Sequence, residues 1–250
     1  MKQNETSWES VSSWYDQLVG EKGHYYHEEL IFPNLLKIWK LQQKDRVVDF
    51  ACGQGVLSRI IPPATAYLGI DGSKTLIQRA KSQNRKSNGH FLHADLTQSL
   101  ELKEEPFTHA AIILALQNIA DPAAVLKNAA EALVKGGELL IVLNHPCFRI
   151  PRQSSWGVDP AKKLQYRRID SYLSPMQIPI QAHPGQKESA LTYSFHFPLS
   201  HYSKLLRESG FGIVEIQEWC SNKTSQGGSA KMENRSRKEF PLFLAILARK

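Results

Sequence analysis

The 250-residue chain has little cysteine. Cys52, Cys147 and Cys220 are odd in number and widely spaced, which excludes a disulfide framework and a cysteine-based zinc pattern and points to a reducing cytoplasm. It also lacks a long apolar run. The longest, around 109–120, is interrupted by Gln117 and Asn118 and falls far short of the roughly 20 residues a membrane helix needs. Residues 1–7 are polar and lead into no apolar segment, so no secretory signal is expected. Internal repeats and low-complexity tracts are absent. With 42% hydrophobic and 22% charged residues, the composition excludes a mainly disordered chain, a collagen-like repeat and a coiled coil. The length suits one large α/β domain carrying insertions.

Charge is present in excess of one sign, and its placement is more informative than its amount. The net charge is +7. Segment 144–196 contributes +4, from Arg149, Arg152, Lys162, Lys163, Arg167, Arg168 and Lys187 against Asp159, Asp170 and Glu188. Segment 221–239 contributes the other +3, from Lys223, Lys231, Arg235, Arg237 and Lys238 against Glu233 and Glu239. The rest of the chain is neutral. A basic run is often only a solvated surface, so these two stretches need a structural context before they carry function.

Amphipathic spacing predicts helices over 7–20 and 28–41, with an ordered loop at 20–27 that holds the Tyr25–Tyr26 pair. Beyond them the pattern alternates. Strands are expected at 46–50, 66–70, 90–93, 107–116 and 138–143. Between them lie a helical stretch at 56–61 and helices at 73–86 and 121–135, the last stopped by Gly136-Gly137. A helix at 199–209 and strands at 211–219 and 241–248 follow. This alternation implies a doubly wound α/β sheet, which binds ligands at the carboxyl ends of its strands.

The sharpest motif is Asp49-x-Ala51-x-Gly53-x-Gly55 at the end of the first strand. Small residues let the backbone turn tightly and approach a ligand, and the first carboxylate is suited to a cationic amine. Asp71 ends the second strand, where a carboxylate can accept from both hydroxyls of a ribose. Asp95 ends the third, where it can accept from an adenine amino group. The competing reading is three helix N-caps. A nicotinamide site would want a third glycine where the chain has Ser58.

On these residues the chain resembles the class I S-adenosylmethionine (SAM)-dependent methyltransferases, in particular the small-molecule-type, methyltransferase-11-like subgroup. The matching stretches are 47–57, 67–72, 93–96, 115–119, 135–142 and 195–218, so the likeness spans roughly residues 12–220. The resemblance implies a Rossmann-like sheet, mostly parallel with an antiparallel last strand. It would carry a helical N-terminal cap over 1–45, and a domain over 46–250 with insertions at 144–196 and 221–239. It implies that Asp49 anchors the loop and the methionine amine, and that Ala51, Gly53 and Gly55 underlie the methionyl part. Asp71 and Gly72 would hold the ribose, Asp95 the adenine N6 and Leu96 the adenine face. Leu116 and Gln117 would close the methionine end. The family usually has glycine where this chain has Ala51.

Methyl transfer proceeds by in-line attack, so positioning supplies most of the catalysis and a base is needed only when the nucleophile must lose a proton. Two histidines are candidates. His145 follows the fifth strand in Leu143-Asn-His-Pro-Cys-Phe148, and His196 lies in Ser194-Phe-His-Phe-Pro198, where the family often has His-Arg-Pro-Leu-Ser. Either could instead be structural. His90 and His93 read as strand-end residues. Asn118, Asn144, Trp156, Tyr166, Arg167 and Arg168 are the expected substrate contacts. Trp14, Tyr15, Tyr25 and Tyr26 either cover the cofactor or serve as core aromatics. By the family topology both basic insertions overhang the pocket, where arginines among aromatics suit an anionic, planar substrate. The expectation is methyl transfer from SAM, without a metal or a membrane partner, to a small anionic or aromatic metabolite. RNA held through its phosphates is the alternative, and a non-catalytic SAM-binding partner protein the third.

Overall fold

Burial alternates along the central strands, so each strand feeds two layers. Leu139, Ile141 and Leu143 face one core, while Leu140 and Val142 face the other. The structure, a computed structural model, describes residues 8–20, 22–84, 89–181 and 190–250. Residues 1–7, Lys187, Glu188 and the last two positions of the helix expected at 73–86 lie outside the described residues.

The chain enters through a short 3-10 turn, Trp8–Val11, and α1 (Ser12–Val19). A π-type turn, His27–Ile31, leads into α2 (Phe32–Ile38). The alternating half follows: β1 (Arg46–Phe50), β2 (Ala66–Asp71), α3 (Lys74–Gln83), β3 (Gly89–His93), β4 (Phe107–Ile113), α4 (Pro122–Ala132) and β5 (Leu133–Asn144). Two antiparallel hairpins come next, β6 (Ser154–Asp159) with β7 (Leu164–Ile169), and β8 (Met176–Gln181) with β9 (Leu191–His196). The chain finishes with α5 (Leu199–Glu208), β10 (Gly212–Trp219), α6 (Ala230–Glu239) and β11 (Phe243–Arg249).

The main sheet has seven strands in the order β10-β11-β5-β4-β1-β2-β3. All pair in parallel except β11, which is antiparallel to both β10 and β5. This is the Rossmann-like sheet with an antiparallel last strand that the resemblance implies. Val125, Leu126 and Ala129 of α4 and Tyr202, Leu205 and Leu206 of α5 close one face. Phe32 and Leu35 of α2, with Ile77 and Ala80 of α3, close the other. The topology reverses between β1 and β4, which sets the ends of β1, β2, β4 and β5 around one crevice.

Several local expectations are corrected. Gly136-Gly137 does not end a helix: α4 stops at Ala132, and residues 133–144 join the sheet, with Leu133 paired to Phe107. The stretch at 56–61 forms only a 3-10 turn, Leu57–Arg59, before Pro62-Pro63. Tyr25 and Tyr26 are already helical, and α2 stops at Ile38 rather than 41. The fourth strand ends at Ile113, not 116, and the 221–239 insertion contains a helix. No helix among the described residues is long and apolar enough to cross a membrane.

Candidate active site

The loop after β1 turns through three residues with positive φ, Ala51 (58°), Gly53 (55°) and Gly55 (76°). Space is as limiting as conformation here. A Cβ on Gly55 would lie 2.7 Å from the Phe91 ring and 3.2 Å from Ala80. The loop is tied to the next strand end by Asp71, whose Oδ2 accepts the Gly53 N–H at 2.8 Å and whose Oδ1 accepts the Ser73 N–H at 2.8 Å. A carboxylate oxygen offers two lone pairs, so one acceptor position remains on each oxygen. Burial pushes the Asp71 carboxyl above its usual range, and the two N–H bonds oppose that rise.

Asp49 is 3% exposed and accepts the Tyr67 hydroxyl on Oδ2 at 2.6 Å. Burial pushes its pKa up to about 7, against the Tyr67 bond and with the repulsion of Asp71. At the third strand end, the Ala94 N–H reaches the Asp71 carbonyl at 3.1 Å, and His93 donates from Nε2 to the Gly72 carbonyl at 3.0 Å. Asp95 is exposed and accepts the Thr97 N–H and hydroxyl on Oδ1, while Leu96 is buried beside it.

The N-terminal segment covers this loop. The Tyr15 ring lies against Gly53, where an added Cβ would come within 3.1 Å of its hydroxyl. Trp8 packs edge-on to Tyr15 and stacks on Trp14. Glu9 fastens the segment by accepting the Ser73 and Thr75 hydroxyls, each at 2.6 Å, at the start of α3.

Beyond β4 the backbone turns through Leu114 at φ 52°, a sparsely populated region for a branched side chain. The Leu114 carbonyl takes both the Gln117 and the Asn118 amides, at 2.9 and 3.2 Å. The Gln117 Oε1 is left buried with no partner among the described residues. Leu116 is fully buried. Gln117, Asn144, Arg149 and His196 share the wall of a small cavity of about 20 Å³.

The two candidate histidines differ in their commitments. His145 is 2% exposed; its Nδ1 accepts the Cys147 N–H at 3.2 Å, so its Nε2 carries the proton donated to Glu218 at 2.8 Å. Burial pulls its pKa down, and Glu218 opposes that. Both nitrogens are occupied, Nδ1 by the turn and Nε2 by Glu218 of β10. His196 is buried and, among the described residues, uses only Nε2, which donates to the Tyr172 carbonyl at 2.7 Å. A carbonyl only accepts, so the neutral ring presents Nδ1 as a lone pair.

The expected substrate residues separate. Trp156 lines a larger cavity of about 160 Å³ together with Tyr26, Arg149, Lys223, Arg237 and Phe240. Arg167 stacks its guanidinium 5.2 Å from the Trp156 ring and bonds the Phe148 carbonyl and the Ser154 hydroxyl. Tyr166 and Arg168 line neither cavity. Arg168 is exposed and grips Asp170 at 2.7 Å. Sequence reasoning singled out neither Arg149 nor Lys223 and Arg237 from the basic runs. The one usable signal for Arg149 was its place four residues after His145, close to a strand end.

Residues 48–141 match the family described as methyltransferase domain. The chain is similar to a crystallised SAM-dependent methyltransferase from Mesorhizobium loti, at 25% identity and a TM-score of 0.69, over 90% of this chain and 99% of that one. It is 24% identical over 132 residues to a ubiquinone biosynthesis O-methyltransferase of Hydrogenovibrio crunogenus, covering 51% of this chain and 54% of that protein. It is 29% identical over 76 residues to a carboxy-S-adenosyl-L-methionine synthase of Nitratiruptor, covering 29% and 32%. The chain thus spans about half or less of the length of these curated relatives. The seven-stranded order, the glycine loop tied to Asp71 and these likenesses agree: residues 48–141 form a methyltransferase domain, and the chain as a whole is similar in fold to SAM-dependent methyltransferases.

Proposed function

We propose that the protein transfers the methyl group of SAM to a small anionic or aromatic metabolite. The observation that carries the cofactor half is Asp71. Its two oxygens are aligned by the Gly53 and Ser73 N–H groups, and each keeps one lone pair, the acceptor set a vicinal diol needs. The remaining residues fit the group as well. Gln117 Oε1 is a buried acceptor awaiting a donor, Asp49 is suited to the ammonium, and Asp95 and Leu96 offer an acceptor and an apolar face for the adenine. When bound, SAM supplies a methyl group activated by its sulfonium.

This chain's own part is to bind, orient and deprotonate. The glycine turn positions the methionyl end, and Tyr15 with Trp8 and Trp14 excludes water from above it. His196 is the proposed general base. Its Nε2 is anchored on Tyr172, which leaves Nδ1 free to take a proton beside Asn144 and Gln117. His145 serves as a strut that holds the turn after β5.

A cation enclosed in a cavity favours a small acceptor over RNA. Outside it, Lys162 pairs with Asp159 and Arg168 with Asp170, whereas Arg152, Lys163 and Lys231 are exposed and meet no carboxylate among the described residues. The Arg149 guanidinium, in contrast, lines a cavity. Salt dependence tests this reading. Methyl transfer to acceptors in a cell extract is expected to change by no more than about threefold between 50 and 200 mM salt. A protein making 6–10 phosphate contacts loses about 10³–10⁵ in affinity over that range, and a fall of that kind would replace the small acceptor with RNA.

A further inference from the structure

The cavity between the two basic insertions holds more positive charge than the protein compensates. Arg149 is half-buried, and its guanidinium makes no hydrogen bond or ion pair among the described residues. Lys223 places its ammonium 4.3 Å from the Tyr25 ring and 5.2 Å from Tyr26 but meets no carboxylate there. Arg237 reaches the partly exposed Glu233 at 3.7 Å and the Lys223 carbonyl at 3.5 Å. No lining residue is acidic. Burial lowers the Arg149 pKa, and burial followed by the Arg149 charge lowers that of Arg167. Taking such cations out of water is unfavourable unless a counter-charge joins them.

The rest of the wall is aromatic and braced. Phe240 packs edge-on to both Trp156 and Phe148, and the Tyr26 hydroxyl is fixed to Ser221 at 2.9 Å. The cavity, of about 160 Å³, has room for one ring or one charged headgroup. Arg149 also borders the small cavity of His196 and Gln117, so the two cavities share a wall.

We infer that Arg149, Lys223 and Arg237, between Tyr26, Trp156 and Phe240, form an oxyanion-binding pocket for a small aromatic acid carrying a carboxylate or a phosphate. Arg149 supplies a planar, forked donor that a carboxylate or phosphate can meet with two bonds, and the aromatic walls take the ring. The uncompensated charge of this pocket is independent of methyl transfer. Only the identification of the pocket's occupant as the methyl acceptor rests on the proposed function.

The test is calorimetric titration of the full chain with 4-hydroxybenzoate and with phenyl phosphate, and with 4-hydroxybenzamide as the neutral counterpart. S-adenosylhomocysteine is titrated in parallel. One or both acids are expected to bind about tenfold or more tighter than the amide, and which acid does so distinguishes carboxylate from phosphate. Arg149→Gln should weaken the acid about tenfold or more, with partial recovery in Arg149→Lys. Lys223→Gln, at an exposed position with little risk to folding, should give a smaller loss. S-adenosylhomocysteine affinity should stay the same in all three variants. Equal binding of acid and amide, or acid binding indifferent to both the Arg149 and Lys223 changes, would overturn the pocket. So would binding of an RNA oligonucleotide alone. Acid binding without any S-adenosylhomocysteine binding would leave the pocket standing and remove the methyl-transfer reading instead.

Discussion

Asp71→Asn isolates the cofactor argument, because it preserves shape and removes one acceptor. In the native protein both carboxylate oxygens are used, by the Gly53 and Ser73 N–H groups at 2.8 Å each. An asparagine can satisfy only one of these and turns its NH₂ group toward the other. The lone pair left for a ribose hydroxyl on that side disappears as well. A hydrogen bond to a charged partner is worth about 1.5–3 kcal/mol, so SAM should bind about 10- to 150-fold more weakly. Folding should respond less. Removing a carboxylate that burial already disfavours offsets part of the lost bonding, and the net change should stay within about 1–2 kcal/mol. Calorimetric titration with SAM and with S-adenosylhomocysteine measures the first quantity, and urea unfolding without ligand measures the second. An affinity within about twofold of the native protein, in a variant that folds normally, would refute the placement of the ribose on Asp71.

Three further predictions follow from the same geometry. His196→Asn should lower kcat about 10²-fold with SAM affinity intact, whereas His145→Asn should mainly lower stability, by about 1–3 kcal/mol; a rate within twofold for the first would remove His196 from the chemistry. Gly55→Ala should destabilise the protein by about 2–4 kcal/mol, seen as a fall in Tm, since its Cβ meets Phe91 at 2.7 Å on a backbone with φ 76°. Burial pushes the Asp49 carboxyl from its usual 3.8 up to about 7, so the ligand-free native state holds an extra proton between those values and its stability falls as pH rises through that window. Asp49→Asn should flatten that slope in urea unfolding compared at about pH 5 and about pH 8, and an unchanged slope would place the titration elsewhere.

The parts of the site that depend on strand ends and tight turns were legible in the sequence. Asp49, Asp71 and Asp95 each follow an apolar run, and an acid that closes a strand must emerge on the carboxyl side of the sheet. Ala51 takes a left-handed conformation that glycine adopts more readily. Where tertiary pairing competed with local signals, the local signal lost. Gly136-Gly137 looked like a helix stop, but Leu133 pairs with Phe107 and draws the preceding residues into β5. Histidine identity alone could not separate His145 from His196, because the difference lies in the Glu218 and Tyr172 carbonyl partners, 73 and 24 residues away. Arg149 was hidden for the same reason. Its significance comes from Lys223, Arg237 and Phe240, which only the folded chain brings beside it.

The most direct measurement of the central claim uses the purified protein, methyl-labelled SAM and a total cell extract, with the Asp71→Asn variant as control. The account predicts label in small, extractable, acidic material, formed by the native protein and greatly reduced with the variant. Label in nuclease-sensitive polymer would contradict the small acceptor, and SAM bound without transfer to any fraction would contradict the catalytic reading itself.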